Sequence, residues 1–397
     1  MFEKIELAPA DPILGLNEAF RNDDRPTKVN LGVGVYKDND GRTPVLNCVK
    51  QAEARILASQ TSKGYLAIDG HPEYRAMVQS LLLGASHPVL AEQRSRAVQA
   101  PGGTGALRIA ADFVASQTPV KRVWISDPSW ANHRQIFETA GLEVHTYRYY
   151  DAANKTLNFD GMLADLDALG PQDMVVLHGC CHNPTGVDPD LAQWQTLAAC
   201  AKQQGWLPLF DFAYQGFAVG VEEDAAGLRH FAETVSELLV ANSFSKNFGL
   251  YNERIGALTL IAANGEAADK ALSQIKRVVR ANYSNPPSHG AEVVATILAD
   301  AELRALWLDE LAQMRERIQG MRSALVEGLS SAGVAGDFGF IQRQNGMFSF
   351  SGLNGEQVAK LKQDHGIYIV GSGRINVAGL TGHNLDAVIA AIKAVSE

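Results

Sequence analysis

Lys246 closes the segment Ser243-Phe244-Ser245-Lys246, directly after the apolar run Leu238 to Ala241. A lysine that follows a buried strand, among small hydroxyl residues, stands where desolvation lowers the amine pKa and makes it a nucleophile. Alone, such a lysine is usually a solvated loop residue; its company changes the reading. Gly102-Gly103-Thr104-Gly105 opens a helical segment. A glycine turn there offers free backbone N–H groups at the positive end of a helix dipole, an arrangement suited to phosphate. Arg254 and Ser243 add charge-assisted and hydroxyl bonds for the same anion. Three more polar stretches end strand-like runs. Asp211 follows Leu207 to Phe210, with Tyr214 just beyond; Asp127-Pro128-Ser129-Trp130 follows Val123 to Ser126; and Gly179-Cys180-Cys181-His182-Asn183-Pro184-Thr185-Gly186 follows Met174 to His178. In an open α/β sheet, ligands bind outside the carboxyl ends of the strands, where all of these residues fall.

These groups need elements to hold them. Short apolar runs alternate with longer segments of helical period from about residue 45 to about residue 300, the pattern of a parallel sheet with crossover helices. Strands are expected at Val123 to Ser126, Met174 to His178, Leu207 to Phe210, Leu238 to Ala241 and Ala257 to Ile261. Helices are expected at Thr104 to Ala115, Ala131 to Ala140, Asp190 to Gln204, Gly227 to Ser236 and Lys270 to Ala281, with Gly141 and Gly205 as C-caps. From Glu302 to Leu329 the residues Leu311, Met314, Ile318, Met321, Leu325 and Leu329 recur at three- and four-residue spacing, which predicts one long amphipathic helix able to bridge two domains. Strand-like Met347 to Phe350 and Ile367 to Val370, with a terminal helix Asn384 to Val395, predict a smaller α+β unit. The first 43 residues, with Pro9, Pro12 and the Gly32-Val33-Gly34 turn, show little helical pattern and are expected to pack on that unit.

Composition bounds the partners. The chain has 397 residues, 46% apolar and 20% charged, with a net charge of −9, so it is a globular chain of two or three domains with enough core to need no staple. It carries neither a signal-peptide pattern nor an apolar run long enough to span a bilayer, and a cytoplasmic location is expected. Cys48, Cys180, Cys181 and Cys200, two of them adjacent, read as reduced thiols. An acidic chain without a basic run argues against nucleic acid and for a small-molecule partner.

A phosphate cradle, a reactive lysine, a buried aspartate and a stackable tryptophan together match pyridoxal 5'-phosphate, which needs a Schiff-base lysine and an acidic partner for its pyridine nitrogen. The segment Ser243-Phe244-Ser245-Lys246-Asn247-Phe248-Gly249-Leu250-Tyr251-Asn252-Glu253-Arg254, with His182-Asn183-Pro184-Thr185-Gly186 and Asp211-Phe212-Ala213-Tyr214, closely resembles the fold type I aspartate aminotransferases, in their bacterial aspartate and aromatic branch. The resemblance covers essentially the whole chain. It implies an α/β fold with a large cofactor domain, residues 44–312, built on a mixed, mostly parallel seven-stranded sheet flanked by helices. A smaller α+β domain would come from residues 1–43, including an N-terminal arm, and 313–397.

The resemblance also implies roles. Lys246 would be the Schiff-base lysine and proton shuttle, Asp211 the partner of the pyridine nitrogen, His133 the group orienting Asp211, Tyr214 and Asn183 donors to the ring's phenolic oxygen, and Trp130 the stacking aromatic. Gly103, Thr104, Ser243, Ser245 and Arg254 would cradle the phosphate, joined by Tyr65 from a second subunit of a homodimer. Arg374 would clamp the substrate's α-carboxylate, with Gly34, Trp130 and Asn183 at the substrate, and Arg280 would cross from the partner to the side-chain carboxylate. The reaction implied is ping-pong transamination of L-aspartate and 2-oxoglutarate through a Lys246 aldimine, with no metal, and with the small domain closing near Ile13, Val33 and Gly34.

Val35, Lys37, Thr43, Thr104 and Asn285 resemble the aspartate-selective branch, whereas Gly64 replaces the larger polar residue common there, which leaves aromatic or dual specificity as the alternative. Three other classes compete. Ser243 to Lys246 satisfies the Ser-x-x-Lys motif of acyl hydrolases, but neither Ser-Asp-Asn nor Lys-Thr-Gly accompanies it. The turn at Gly103 lacks the last small residue of a dinucleotide fingerprint. His178, Cys180, Cys181 and His182 lack a second ligand pair at zinc spacing.

Overall fold

The computed structural model describes residues 1–8 and 14–397, so Pro9, Pro12 and Ile13 lie outside the described residues. The chain divides into two compact units, one of Pro44–Asn183 and Val187–Glu316, the other of Met1–Thr43, Pro184–Gly186 and Arg317–Glu397.

The larger unit is built on seven strands: β1 (Ser95–Pro101), β2 (Arg122–Asp127), β3 (Glu143–Arg148), β4 (Asp173–His178), β5 (Leu207–Phe212), β6 (Leu238–Ser243) and β7 (Ile255–Ile261). Their order is β1-β7-β6-β5-β4-β2-β3. β7 runs antiparallel to both neighbours and the other pairings are parallel. The sheet is therefore mixed rather than wholly parallel as the alternation alone predicts, and the exception has a local cause. Arg254 turns the chain in a left-handed conformation, φ +56°, and sends β7 straight back beside β6 without a crossover helix. Since β1 is antiparallel to β7 in turn, six strands end at the same edge, and β7 begins there.

β4, β6 and β7 are buried along their whole length, as expected of strands covered on both faces. Helix α1 (Gly102–Gln117) lays Ala106, Leu107, Ile109, Ala110 and Val114 against Val98, Val176, Leu209, Ala241 and Leu258 of the sheet. Each fully buried large aliphatic there contributes about 1.5–3 kcal/mol. Helices α2 (Asn132–Thr139), α3 (Gly265–Asn282) and α4 (Ala301–Ser331) follow. The division between the units falls within α4, after Glu316.

In the smaller unit Val29–Asn30 pairs in parallel with Ile367–Tyr368, and Phe348–Phe350 pairs antiparallel with Arg374–Asn376. Helices Gly355–His365 and Leu385–Ser396 complete it, together with Leu14–Arg21, which the little helical pattern of the first 43 residues did not predict. Among the described residues no helix is long and apolar enough to cross a membrane.

Candidate active site

The carboxyl edge of the sheet gathers the chemistry. β1 ends at Pro101 and passes directly into α1, whose first N–H groups have no side-chain cap. Gly102, φ +74°, lies against Arg254 so closely that a Cβ there would be 2.4 Å from the guanidinium. Gly103 faces Ser243, at 3.2 Å from its own virtual Cβ to the serine Cβ. Gly256 lets three backbones meet: a Cβ on it would lie 2.5 Å from the Asn242 carbonyl oxygen and 2.6 Å from the Gly102 carbonyl carbon. The Arg254 guanidinium donates to the Ser245 hydroxyl at 3.3 Å and to the Tyr251 carbonyl at 3.0 Å, and Ser243 and Ser245 hydroxyls are 3.1 Å apart. Open helix N–H groups, two hydroxyls and one exposed guanidinium form a cradle for a phosphate dianion. Thr104, in the first turn of α1, is exposed beside it.

Lys246 follows β6 and is half-buried. Its turn is fixed from behind. Trp307 of α4 donates its indole N–H to the Asn247 carbonyl at 2.8 Å and stacks on Phe248, centroids 4.5 Å apart, while the Asn247 amide donates to the Gln215 carbonyl. Burial lowers the Lys246 pKa, Asp211 opposes that shift and Arg254 adds to it. The ammonium lies 4.8 Å from the Tyr214 ring centroid.

Asp211, near the end of β5, accepts a 2.8 Å hydrogen bond from His133 Nε2. Burial raises its pKa, but the His133 hydrogen bond, the largest of the opposing influences, helps outweigh it, and the carboxyl is held below the usual range. The proton positions follow from one unambiguous donor. The backbone N–H of Asn183 donates to His178 Nδ1 at 3.2 Å, so the His178 proton sits on Nε2 and points to Ser129 Oγ at 3.3 Å. Ser129 then gives its own hydrogen to His133 Nδ1 at 2.8 Å, which leaves the His133 proton on Nε2, facing the carboxylate. Burial first, and neighbouring His133 second, press the His178 pKa down to about 3, so it remains neutral. His133 is fully buried. Ser129 and His178 join this hydrogen-bonded chain, although the sequence reading assigned neither a role in it.

Trp130 is half-buried and meets His133 edge-on, with ring centroids 5.2 Å apart. Asn183 and Tyr214 are buried at the same edge. The Cys180-Cys181 turn is held by Asp188, which accepts from the backbone N–H of Cys181 and His182 at 2.8 Å each. His182 faces the Ser126 hydroxyl at 2.8 Å and stacks on Tyr149. The turn is thus held through its backbone, and the His182 ring packs beside it against Ser126 and Tyr149.

Tyr65 and Arg280 stand elsewhere in the same unit. They line a cleft of about 840 Å³ with Gly64, Tyr283, Asn285 and Pro287. Tyr65 is 96% exposed, and Arg280 is exposed with its guanidinium bonded to Ser284. In the smaller unit Arg374 is buried, donates to the Gly32 carbonyl at 2.6 Å and lies 4.1 Å from the Phe348 ring centroid. Gly34 meets the same ring: a Cβ there would be 2.6 Å from Phe348 Cζ. Asn376 holds this loop by donating to the Val33 and Val35 carbonyls.

The edge of the larger unit fits pyridoxal phosphate. Its cationic and hydroxyl donors suit the phosphate, Lys246 suits the aldehyde, and a carboxylate kept ionised suits a protonated pyridine nitrogen.

Comparison with known proteins agrees. Residues 26–392 match the family model described as aminotransferase class I and II. The aspartate aminotransferase of Escherichia coli (strain K12) is 59% identical over 395 residues, covering 100% of both chains. The aromatic-amino-acid aminotransferase from Burkholderia pseudomallei, solved covalently bound to pyridoxal phosphate, superposes with a TM-score of 0.97 at 53% identity over 100% of both chains. The cytoplasmic aspartate aminotransferase of Saccharomyces cerevisiae superposes with a TM-score of 0.97 at 39% identity, covering 100% of this chain and 98% of that one.

Proposed function

The chain belongs to the class I and II aminotransferases, and on that premise we propose that it transfers the amino group of L-aspartate to 2-oxoglutarate, giving oxaloacetate and L-glutamate, with pyridoxal 5'-phosphate as cofactor. One observation carries the reading: Lys246, its pKa lowered by burial, shares the sheet's carboxyl edge with a phosphate cradle and with Asp211 held ionised through His133. Bound there, the cofactor supplies an electron sink conjugated to the substrate nitrogen.

The protein's own groups do the rest. Gly103, Thr104, Ser243, Ser245 and Arg254 hold the phosphate. Asp211 keeps a proton on the pyridine nitrogen. Asn183 and Tyr214 donate to the phenolic oxygen, and Trp130 covers the ring. With the cofactor bound, the Nζ of Lys246 would be placed to take the proton from the substrate Cα; a positioned base of this kind is worth about 10² to 10⁴ in rate. Arg374, with Gly34, takes the α-carboxylate, since a planar guanidinium matches a carboxylate with two parallel bonds. Arg280 takes the side-chain carboxylate and Tyr65 a phosphate oxygen, both from the partner of a symmetric homodimer. Their exposure, in a cleft apart from Lys246, supports that exchange. The cytoplasm is the proposed compartment, in keeping with four cysteines that form no disulfide.

The test is turnover and colour. Protein loaded with cofactor should absorb near the visible edge with a pH-dependent band that borohydride bleaches, and peptide mapping should locate the pyridoxyl group on Lys246. With 2-oxoglutarate, kcat/KM for aspartate should exceed that for phenylalanine by more than tenfold; a ratio near unity replaces the aspartate reading with dual specificity.

A further inference from the structure

Arg322 is a large side chain buried in the smaller unit, on the part of α4 that belongs there. It donates to the carbonyls of Ile341 (3.0 Å), Gly346 (2.7 Å) and Phe348 (2.7 Å), and to the Ser349 hydroxyl. These acceptors lie before and within the strand Phe348–Phe350, so one planar fork holds that strand at its entry.

The strand carries Phe348. In the antiparallel pairing Phe350 stands opposite Arg374 and Phe348 opposite Asn376, which makes Phe348 and Arg374 a diagonal cross-strand pair. The guanidinium of Arg374 lies 4.1 Å from the Phe348 centroid, a cation–π contact, and it also donates to the Gly32 carbonyl. The ring also limits Gly34, where there is no room for a Cβ. A shift of Phe348 would therefore move the floor under Arg374 and the wall of the Gly32–Gly34 loop together.

We infer that Arg322 is a positioning residue for substrate-carboxylate recognition: through the carbonyl of Phe348 and the strand around it, Arg322 fixes the ring on which the Arg374 guanidinium rests. The inference rests on the proposed role of Arg374 as the α-carboxylate clamp. Misplacement of a positioned group by about 1 Å can cost about 10²-fold.

The experiment uses the holoenzyme and two amino donors, aspartate with two carboxylates and L-alanine with only the α-carboxylate, plus succinate as an unreactive dicarboxylate probe. Arg322→Met should raise KM for both donors, and Kd for succinate, by about 10- to 100-fold, with kcat changed less than fivefold and cofactor affinity unchanged. Arg322→Lys, which keeps charge but not the fork, should fall between wild type and Arg322→Met. The aspartate-to-alanine ratio of kcat/KM should hold within threefold, because only the shared carboxylate is affected. If Arg322→Met does not fold, Ser349→Ala, lacking one of the acceptors, should raise both KM values about threefold.

Three results overturn the inference. One is folded variants with unchanged KM and Kd. Another is a loss confined to aspartate. The third is equal loss of kcat and cofactor binding, which marks general damage. Arg374→Lys separates the two levels: if it leaves KM for alanine unchanged, the clamp reading itself fails and takes the inference with it.

Discussion

At the residue scale, the site depends on where protons are held. Lys246 sits between opposing influences, with burial and Arg254 favouring the neutral amine and Asp211 favouring the ammonium. Lys246→Ala should retain cofactor, since the cradle is intact, and lose at least about 10²-fold in turnover; single-turnover kinetics with aspartate check this. Asp211 depends on a chain that starts at the Asn183 backbone and runs through His178, Ser129 and His133. Ser129→Ala would remove the hydrogen that fixes the His133 tautomer, and activity should fall several-fold with little change in KM. The same burial makes the protein acid-sensitive. His178 has a folded pKa of about 3 against an ordinary 6.5, and His182 is lowered as well. Between these values the unfolded chain binds protons that the native state refuses, so stability rises with pH through this window and is lost as pH falls. Each such histidine contributes a slope of about 1.4 kcal/mol per pH unit. Denaturant midpoints should therefore drop from pH 7 to pH 5, where ordinary carboxylates remain ionised, and equal midpoints would contradict the neutral-histidine assignment. Sequence alone pointed to Lys246 and Asp211 because each follows a recognisable apolar strand, and to the cradle because a glycine turn opens a helical segment. Ser129, His178 and Arg322 were not legible, since their roles depend on tautomers and carbonyls that only the folded backbone brings together.

At the element scale, reading the sequence found the five interior strands of the sheet and missed its two edges. β4, β5, β6 and β7 appear as apolar runs, and so does β2. β1 and β3 are the two edges of the sheet. They carry Arg96 and Gln99, and Glu143, His145 and Arg148; Gln99 is buried and bonded to the His71 N–H and the Pro287 carbonyl, the others are polar residues that an edge tolerates, and all of them break the run that marks an interior strand. Four of the seven expected helices run one or two residues beyond their expected C-terminal ends, one ends where expected, and two stop short, at Thr139 rather than Ala140 and at Thr234 rather than Ser236. The glycines at the start of α1 illustrate how an element makes a binding surface. Gly102→Ala would force a left-handed conformation on a residue with a Cβ and push that Cβ into Arg254, at a cost of about 1–3 kcal/mol. Cofactor affinity should fall at least tenfold in a fluorescence titration. Gly141→Ala has open space around its Cβ, so it shares only the backbone strain and should leave cofactor affinity unchanged.

At the scale of the whole molecule, the proposed homodimer makes a prediction that no single subunit can satisfy. Lys246→Ala and Arg280→Ala proteins should each be nearly inactive on aspartate. Mixed and allowed to exchange, they should form hybrids with one site that has its own Lys246 and a native Arg280 from the other subunit, recovering roughly a quarter of wild-type activity. No recovery would mean that Arg280 serves its own chain. Such capture is also the reason an overall charge of −9 is compatible with anionic substrates: at physiological ionic strength the field of distant carboxylates is screened within about 8 Å, and recognition belongs to individual guanidinium groups.

The pairing of Val29 with Ile367 has a further consequence in time. During synthesis the early strand must wait for about 340 more residues, which at roughly 5–20 residues per second is on the order of 20–70 s. The sheet of the larger unit can be complete well before then, because its last strand ends at Ile261. The nascent chain therefore passes through a stage in which the cofactor-holding strands are folded while Leu31, Tyr36 and their neighbours still lack the partners that bury them. Chaperones and early cofactor would act on different parts of that intermediate, the former on the waiting N-terminal segment and the latter on the finished cradle.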